Sequence, residues 1–425
     1  MKLVCAPKNH AFDDDGDELN VILYGSTDRL TRGSIGAAIE HQVYKDKLQP
    51  ASKAWDFLSL ALSVTAADLA CHRRDSPDGW TRQIDIDVAI SDPVFWNSQI
   101  DLVQEMLGFL TTDKWRVRFI AGGSTLVSKP DLVRPAGDCV ALLSGGLDSY
   151  IGNIDLVAGG NHPFVVSQTV RGDAEKQRLF AGLIGGGLQH LQVNHNAVIP
   201  NSESPPSQRA RSIIFLAYGV IAATSLARYD SGQGVVLYVC ENGFISINPP
   251  LTPTRLGSLS TRTTHPVFLG MVQQLFDAAG LRVQLENPYQ LKTKGEMLRE
   301  CKDQNLLGAH ASETTSCGRF KQFGYTHCGR CLPCLVRRAA FLKWGETDLT
   351  DYVYQNLGRK DDDHAGFDDV RAAAMAVAEV KASSLEKWVG PALSTVLLDN
   401  TDDLQAAIGR GLNEIESLLI AHGVK

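Results

Sequence analysis

The chain has 425 residues, of which 44% are apolar and 21% charged, and a formal net charge of −7 at neutral pH. This composition is that of a soluble globular protein with room for two or three domains. It excludes an overall basic surface for nucleic acid, and the sequence shows neither an apolar run of membrane-spanning length nor a signal-peptide pattern. We therefore expect a cytoplasmic protein without a membrane partner and without broad, direct nucleic-acid binding.

The first 135 residues alternate strand-like and helix-like segments. The strand-like segments are Asn20–Tyr24, Gln83–Ile90 and Trp115–Ile120, and the helix-like segments are Ala54–Cys71 and Trp96–Leu110. We predict an N-terminal α+β accessory domain over residues 1–135, without a catalytic motif. Its acidic run Asp13–Glu18 is a candidate Ca²⁺ loop or, more simply, a solvated loop. Two prolines within Lys129–Gly137 indicate a linker to the next domain.

A hexapeptide follows between an apolar strand and a helix. It consists of Ser144, Gly145, Gly146, Leu147, Asp148 and Ser149. The glycines allow the backbone to approach a ligand closely, and the following helix directs free N–H groups and its positive dipole end at an anion. Because the Asp148 carboxylate would repel a bare phosphate, we expect Mg²⁺ between them. The spacing excludes the common phosphate loops, and a ligand-free serine- and glycine-rich turn is the alternative.

The middle of the chain, residues 136–345, continues to alternate strands and helices. The predicted strands are Val140–Leu143, Pro163–Thr169, Gly234–Cys240 and Leu281–Leu285, and the predicted helices are Ala174–Leu188, Ser207–Tyr229 and Val267–Ala279. This order indicates an α/β fold with a doubly wound parallel sheet, whose ligand sits at the carboxyl edge. The hexapeptide follows the first of these strands and therefore lies at that edge.

Four cysteines near the end of this domain have the spacing C-x10-C-x2-C-x2-C. They are Cys317, Cys328, Cys331 and Cys334. Four thiolates with this spacing fit a closed, structural Zn²⁺ site, which implies a reducing compartment. A redox pair and unligated buried thiols are the alternatives, and His310 and His327 are candidate substitute ligands. The other five cysteines are scattered and are most simply small apolar residues.

The remaining residues, 346–425, form a helical C-terminal extension in which we find no chemical motif. The predicted helices are Asp368–Val380, Leu385–Trp388 and Asp402–Leu419. A helical cap or an oligomer surface is the simplest interpretation, and a homo-oligomer is therefore one of the expected states.

The motifs together resemble a known family. The hexapeptide resembles the SGG-x-DS loop of PP-loop ATP pyrophosphatases, and its combination with the four cysteines resembles the 7-cyano-7-deazaguanine synthases (QueC). The resemblance extends over roughly Gly137–Trp344, about half the chain. It includes Arg211–Ala217, similar to the family's RN-x-x-FL-x-x-A helix, Tyr238–Ser246, in the place of its strand and substrate loop, and Pro288–Glu296, similar to its P-x-x-x-x-TK-x-E segment.

Several segments depart from the family pattern. The family's YGQ-x-H segment is replaced by Gln168–Glu175, its asparagine after Arg211 by Ser212, and its substrate loop by Ile247–Pro253, which continues into Ser260–Pro266. About 135 N-terminal and about 80 C-terminal residues are additional. These features resemble the QueC-like proteins of bacterial anti-phage islands, the Qat system in particular.

The resemblance implies a PP-loop ATPase (HUP-like) domain with a zinc knuckle, which uses ATP, Mg²⁺ and Zn²⁺. It implies an ATP-dependent C–N ligase that adenylates a 7-carboxy-7-deazaguanine-type acid and then forms an amide with an amine. The hexapeptide is expected to bind ATP and Mg²⁺. The expected catalytic residues are Asp148, Ser149, Arg211 and Lys294. Candidates for substrate recognition are Glu241, Asn242, Arg262, Thr263 and His265.

Other functions stay open at this stage. The amine is ammonia in the nucleobase pathway, whereas docking on the additional domains favours a protein amine from a partner encoded in the same defence operon. A catalytically inactive nucleotide-binding scaffold is a further alternative, as is PP-loop chemistry on nucleic acid. The last would need a catalytic cysteine pair and a basic RNA surface, and neither is evident in the sequence. An ATP phosphate pocket would equally well use the charges of a local basic patch, for which the candidates are Lys292, Lys294, Arg319, Lys321, Arg330, Arg337 and Arg338. Simpler roles are a surface charge for Arg211, and a locally hydrogen-bonded turn for Arg262 and His265.

Overall fold

The computed structural model describes residues 1–13, 16–126, 134–169, 172–202, 209–251, 262–358 and 367–424, and it does not describe the side chains of Arg211 and Phe367. Part of the predicted linker, part of the acidic run and most of the loop before Arg262 therefore lie outside the described residues. So do Val170 and Arg171, within the segment that replaces the YGQ-x-H motif.

The N-terminal part is built around a five-stranded parallel sheet. Its described elements are β1 (Lys2–Pro7), β2 (Leu19–Leu23), β3 (Gly33–Ile35), α1 (Ile39–Lys45), α2 (Ser52–Ala70), β4 (Gln83–Ile90), α3 (Pro93–Ser98), α4 (Ile100–Thr111) and β5 (Lys114–Ala121). The strand order is β3-β2-β1-β4-β5, and every pairing is parallel. The expected α+β organisation is wrong: this part is α/β. The sequence pattern did not reveal β1, which pairs with both β2 and β4 and makes the sheet parallel.

The middle part contains a second five-stranded parallel sheet, in the order β10-β9-β6-β7-β8. The four predicted strands are confirmed within about two residues, and a fifth, His190–Val193, was not predicted. The described elements are β6 (Cys139–Leu142), α5 (Leu147–Ala158), β7 (Pro163–Gln168), α6 (Ala174–Leu183), β8 (His190–Val193), α7 (Arg211–Ser225), α8 (Ala227–Asp230), β9 (Val235–Tyr238), α9 (Gly243–Ile247), α10 (Pro266–Ala278), β10 (Val283–Glu286), α11 (Lys294–Glu300), α12 (Gln304–His310) and α13 (Leu332–Trp344).

The topology of the second sheet positions the hexapeptide. The chain leaves β6 toward β7 on one side, whereas β9 pairs with β6 on the other side. A parallel sheet opens a crevice at such a switch point, outside the carboxyl ends of its strands. The hexapeptide follows β6, and the Glu241–Asn242 segment follows β9, so the two meet at this crevice.

The two sheets share one apolar core. Helix α2 of the N-terminal part packs against α7 of the middle part, and Phe57 lies edge-to-face on Phe276, with 5.1 Å between ring centroids. Ser34 and Val198 also exchange a pair of backbone hydrogen bonds, each of 2.8 Å. The N-terminal part is therefore packed onto the middle part, so the linker is not the sole connection between them.

The C-terminal part is helical, as expected. It comprises α14 (Phe367–Ala382), α15 (Leu385–Leu393) and α16 (Thr401–Ala421). Helix α16 packs against α13, α11 and α9, and so reaches two elements that border the crevice. None of the described helices is both long enough and apolar enough to cross a membrane.

Candidate nucleotide site and cysteine cluster

The hexapeptide forms a tight turn that favours glycine at Gly145 by its backbone conformation and leaves little space for a side chain at Gly146. Gly145 has a φ of +89°, and a Cβ on Gly146 would lie only 3.1 Å from the carbonyl oxygen of Thr315. The Ser149 hydroxyl accepts from the Ser144 amide at 3.1 Å and donates to the Gly146 carbonyl at 3.0 Å. These bonds fix the turn that precedes α5. Because α5 begins at Leu147, directly after Gly146, its N-terminus faces the crevice.

Asp148 lies in the first turn of α5 and forms a buried ion pair. Its side chain is 5% exposed, and Lys294 Nζ lies 2.5 Å from its Oδ1. Its Oδ2 accepts from Asn242 through the backbone amide, at 3.1 Å, and through Nδ2, at 2.7 Å. Burial alone would raise the pKa of Asp148, but the Lys294 charge and hydrogen bonds from Glu241, Lys294 and Asn242 lower this pKa to about 2. The carboxylate is therefore ionised at neutral pH.

Glu241 stands beside Asp148, and its pKa is shifted in the opposite direction. Burial, followed by the negative charge of Asp148, raises the pKa of Glu241 well above its ordinary value. Its Oε1 accepts from Asn242 Nδ2 at 2.9 Å, and Asn287 binds its backbone amide and carbonyl at 3.2 and 2.9 Å. Carboxylate oxygens are the ligands that Mg²⁺ takes in proteins. Asp148 and Glu241 are the neighbouring carboxyl groups at this edge, so they are the residues that would hold a Mg²⁺ ion if one binds here.

Sequence reasoning missed Lys176, which lies next to the hexapeptide. Its Nζ donates to Thr315 Oγ1 at 3.0 Å and lies 5.0 Å from the Phe320 ring centroid, while the Thr315 amide donates to the Gly145 carbonyl at 2.9 Å. Burial lowers the pKa of Lys176. The order of the strands could have predicted this position. Lys176 is in the first turn of the helix after β7, and β7 adjoins β6, so this turn reaches the same sheet edge as the hexapeptide.

Arg262 and His265 contact the N-terminal part. Arg262 Nη1 donates to the Phe109 carbonyl at 2.8 Å, and its guanidinium lies 4.5 Å from the Phe109 ring centroid. His265 caps α10 by accepting from the Val267 amide at 3.3 Å, with its ring 5.1 Å from that of Phe109. Thr263 lies between them in the turn before α10 and is partly exposed. The hydrogen bond of His265 is local, whereas that of Arg262 reaches the N-terminal part. Substrate recognition by these residues stays a prediction.

Arg211 begins α7, and the contacts of its side chain lie outside the description. The residues just before it are anchored to the N-terminal part. Ala210 donates its amide to Asp68 Oδ2 at 3.2 Å, and Arg209 Nη1 binds the Thr111 carbonyl at 2.9 Å. The start of α7 is thus fixed by the N-terminal sheet unit, and the expected role of Arg211 stays a prediction.

The four predicted cysteines converge on one point. Their sulfur atoms all lie within 4.8 Å of one another, and they are the only group of potential metal ligands of this size found in the described residues. The Cys317–Cys331 and Cys328–Cys334 sulfur pairs are 3.8 and 4.0 Å apart, too far for disulfides. Backbone amides donate to Cys317 Sγ and Cys328 Sγ at 3.3 and 3.2 Å, which favours thiolates. The cluster could bind zinc as a four-thiolate site.

The two candidate substitute ligands have other roles. His327 Nε2 accepts from the Ser316 amide at 3.1 Å, and burial lowers the pKa of His327 to about 3. His310 Nδ1 lies 3.1 Å from Glu313 Oε2. His327 therefore fixes the backbone next to Cys317, and neither histidine belongs to the four-sulfur group.

The suggested basic patch does not form around α13. Arg330, Arg337 and Arg338 are 1%, 0% and 8% exposed, respectively. Arg337 donates to the Ala311 carbonyl and to Thr314 Oγ1, both at 2.8 Å, and Arg330 and Arg338 likewise bind backbone carbonyls. These guanidinium groups hold loops around the cysteine cluster, because each donates to several hydroxyl or carbonyl oxygens of neighbouring segments.

Comparison with models of protein families gave a match. Residues 263–345 match the model of the family described as Queuosine biosynthesis protein QueC. The matched residues are about a fifth of the chain and include Lys294 and the four cysteines. They do not include the hexapeptide. Comparison with curated proteins and with solved structures gave no match. The match supports a QueC-like family.

Proposed function

We propose that this QueC-like chain is an ATP-dependent C–N ligase whose hexapeptide is the pyrophosphate loop of a PP-loop ATPase (HUP-like) domain. One observation carries the proposal. The turn after β6 directs the start of a helix into the crevice, and the ion pair of Asp148 and Lys294 lies directly beside it. A purely structural turn has no need of a buried carboxylate paired with a buried lysine at this edge.

Different residues around the crevice would bind different parts of ATP. The α5 N-terminus would bind phosphate oxygens, and the hexapeptide serine hydroxyls would join it by exchanging the hydrogen bonds that they make within the turn. Lys294 and Lys176 supply positive charge on two sides of the turn. Asp148 and Glu241 would hold Mg²⁺, which when bound neutralises charge on the phosphates. The four cysteines would hold a structural Zn²⁺ ion.

The reaction we propose has two steps. First, a carboxylate oxygen of a 7-carboxy-7-deazaguanine-type acid attacks the α-phosphorus of ATP. An O–P bond forms, the bond to the β-phosphate oxygen breaks, and pyrophosphate leaves with the electron pair. Second, an amine nitrogen attacks the activated acyl carbon, AMP leaves with the C–O electron pair, and the amine proton passes to solvent. Adenylation is needed because a free carboxylate is a poor electrophile.

The first test is pyrophosphate release. Purified protein with Mg²⁺ and ATP should release pyrophosphate when 7-carboxy-7-deazaguanine is added, and AMP once an amine is also present. Guanine, which lacks the carboxylate, and benzoate, which lacks the base, are matched controls that should leave ATP unchanged. Release of ADP and inorganic phosphate, or turnover that does not depend on the acid, would contradict the adenylation assignment.

For the amine, we propose a lysine or N-terminal amine of a partner protein encoded in the same anti-phage operon, of the Qat type. The additional N-terminal sheet unit and C-terminal helices support this, because both pack onto elements next to the crevice. Ammonia needs no docking surface, whereas a protein amine gains from remote binding energy that orients it. With ammonia, the product would be the free amide and, after a second ATP-dependent dehydration, the nitrile of 7-cyano-7-deazaguanine synthesis.

Intact-mass analysis distinguishes the two acceptors. Operon partners would be co-expressed with the wild-type chain and with Asp148→Asn. A partner that gains a deazaguanine-sized mass only with the wild-type chain supports conjugation. Nitrile or free amide as the sole product would return the chain to nucleobase biosynthesis.

A catalytically inactive nucleotide-binding scaffold is the second candidate, favoured by the altered segment Gln168–Glu175. In the structure, Gln168 Nε2 lies 3.2 Å from His195 Nδ1, beyond the end of β8. A chain that binds ATP but releases no pyrophosphate with any carboxylate or partner would support this scaffold and contradict the ligase.

A further inference from the structure

Helix α16 belongs to the C-terminal extension, yet it contacts the segment that carries Lys294. Arg410 on α16 donates to Glu296 Oε1 at 2.6 Å and to the Leu291 carbonyl at 2.8 Å. One turn further along α16, the Glu414 carboxylate accepts from the Thr293 hydroxyl and from the Gly295 amide, the latter at 3.2 Å. Arg410 therefore binds both ends of the six-residue segment Leu291–Glu296, and Glu414 binds two residues inside it.

Glu414 is an unusual residue for a simple packing contact. It is 8% exposed, and burial raises its pKa. Burying a carboxyl group is unfavourable unless hydrogen bonds compensate, and here both donors come from the N-terminus of α11. Gly295 makes room for it, because a Cβ at this position would lie 2.6 Å from Glu414 Oε1. The helix dipole of α11 also favours a carboxylate at this end.

The two residues that Glu414 holds flank Lys294 directly. Thr293 precedes Lys294 and caps α11, and Gly295 follows it. Lys294 itself is 7% exposed and directs Nζ to Asp148, 2.5 Å away. Fixing the backbone on both sides of one lysine fixes the origin of its side chain, so α16 determines where the Lys294 charge sits relative to Asp148.

The same helix also supports the other partner of Asp148. Asn242, which donates two hydrogen bonds to Asp148, is the N-cap of α9. Phe244 of α9 packs on Gly411 of α16, where a Cβ would lie 2.8 Å from the Phe244 ring. Helix α16 thus contacts both elements that present partners to Asp148.

We propose that α16 is part of the catalytic unit and that Glu414 is a positioning residue that holds Lys294 against Asp148. The catalytic consequence rests on the proposed adenylating function, whereas the positioning itself does not. Misplacing a charged group at a reacting centre by about 1 Å costs up to about 100-fold in rate. Loss of Glu414 should therefore act mainly on kcat and leave the KM for ATP much less affected.

The test compares three variants with the wild-type chain. Glu414→Gln keeps the size of the side chain but presents only one acceptor oxygen to two donors. Gly295→Ala disrupts the same contact from the α11 side, because the added Cβ would clash with the Glu414 carboxylate. Glu416→Gln is the matched control, because Glu416 lies on the same helix and pairs with Lys381 of α14. Two quantities are measured for each: pyrophosphate release, and acylation of Lys294 by an amine-reactive reagent, read by peptide mass spectrometry.

We expect Glu414→Gln and Gly295→Ala to lower kcat by about 10- to 100-fold and to make Lys294 react several-fold faster, with the control unchanged in both. Faster acylation of Lys294 in a protein whose wild type releases no pyrophosphate would uphold the positioning role and refute the proposed function. If Glu414→Gln does not fold, Gly295→Ala decides. Variants that melt at a lower temperature but keep wild-type kcat and Lys294 reactivity would overturn the proposal.

Discussion

Among single residues, two neighbouring carboxyl groups at the crevice have pKa values that are shifted in opposite directions. Burial favours the neutral form of both groups, but Lys294 and Asn242 stabilise the ionised form of Asp148, whereas burial and the charge of Asp148 outweigh the Lys294 charge at Glu241 and raise its pKa. Pairs of titratable groups whose environments drive their pKa values apart are typical of functional sites. Sequence reasoning identified all four residues but placed Glu241 and Asn242 with the substrate base, whereas their described contacts are with Asp148.

Replacing Gly145 tests the turn itself. Gly145→Ala should lower the free energy of unfolding by about 1–2 kcal/mol, because its φ of +89° is unfavourable for a residue with a Cβ. It should also weaken ATP binding. Gly182→Ala is the control, since a Cβ there meets nothing within 4 Å in helix α6, and it should stabilise the helix slightly. Urea denaturation and ATP titration measure both effects, and equal stability losses in the two variants would refute the strained-turn account.

Among the helices and loops, the stability that the His265 cap gives to α10 depends on pH. Burial lowers its pKa from 6.5 to about 4, so between these values the unfolded chain binds a proton that the folded chain does not. Stability is therefore lost as pH falls through this range, by at most about 1.4 kcal/mol per pH unit for one proton.

His265→Asn removes this titration while keeping an oxygen that can cap α10. We expect the free energy of unfolding of the variant to fall less than that of the wild-type chain between pH 6.5 and pH 4.5, as measured by urea denaturation at both values. His190, whose pKa burial also lowers to about 4, is present in both proteins and cancels in the comparison. Parallel pH curves for the two proteins would show that His265 does not titrate as described.

The cysteine cluster and the hexapeptide are linked through Thr315, which precedes Cys317 by two residues and binds Gly145. Cys331→Ser should reduce zinc from about one ion per chain to a small fraction, because a four-thiolate site loses a ligand. It should also weaken ATP binding through Thr315. Cys301→Ser is the control, since Cys301 lies outside the cluster. Metal analysis that finds no zinc in the wild-type chain would contradict the site.

Local patterns predicted well the elements that have a strong period or a strict spacing. The alternation in Gln83–Ile90 predicted β4 to the residue, and the cysteine spacing predicted a cluster whose sulfurs converge. Elements defined by distant contacts were missed. Strand β1 carries Lys2, Cys5 and Pro7 and lacks a clear alternation, yet it pairs with two strands at once. The helix expected over Ser207–Tyr229 is interrupted at Leu226, which is extended.

At the scale of the whole molecule, the parts of the chain are more closely joined than the sequence suggested. The sequence predicts that the N-terminal part is an accessory domain, because it lacks a catalytic motif. In the structure it shares a core with the middle part and anchors the start of α7. The C-terminal helices read as a cap, but α16 binds the Lys294 segment. These contacts join residues more than a hundred positions apart, which no local pattern can reveal.

The shared core predicts cooperative unfolding of the two sheets. Phe57→Ala should lower the free energy of unfolding by about 3–5 kcal/mol, because Phe57 is fully buried against Phe276 of the middle part. Calorimetry should show a single transition that includes both sheets and shifts to lower temperature. Leu30→Ala, at a side chain that is 94% exposed, should leave it within about 0.5 kcal/mol. Two separate transitions, of which Phe57→Ala shifts one, would contradict the shared core.

If the hexapeptide and the Asp148–Lys294 pair form an ATP site, pyrophosphate release should depend on the Asp148 carboxylate. The variant Asp148→Asn measures this dependence. Asp155→Asn is the matched control, because Asp155 lies on the same helix and binds Tyr289 and the Lys302 amide instead. With Mg²⁺, ATP, 7-carboxy-7-deazaguanine and an amine, Asp148→Asn should lose about 100-fold or more in turnover while it stays folded, at a lower melting temperature because Lys294 loses its partner. Asp155→Asn should retain turnover. Equal turnover in Asp148→Asn and the wild-type chain would contradict the account.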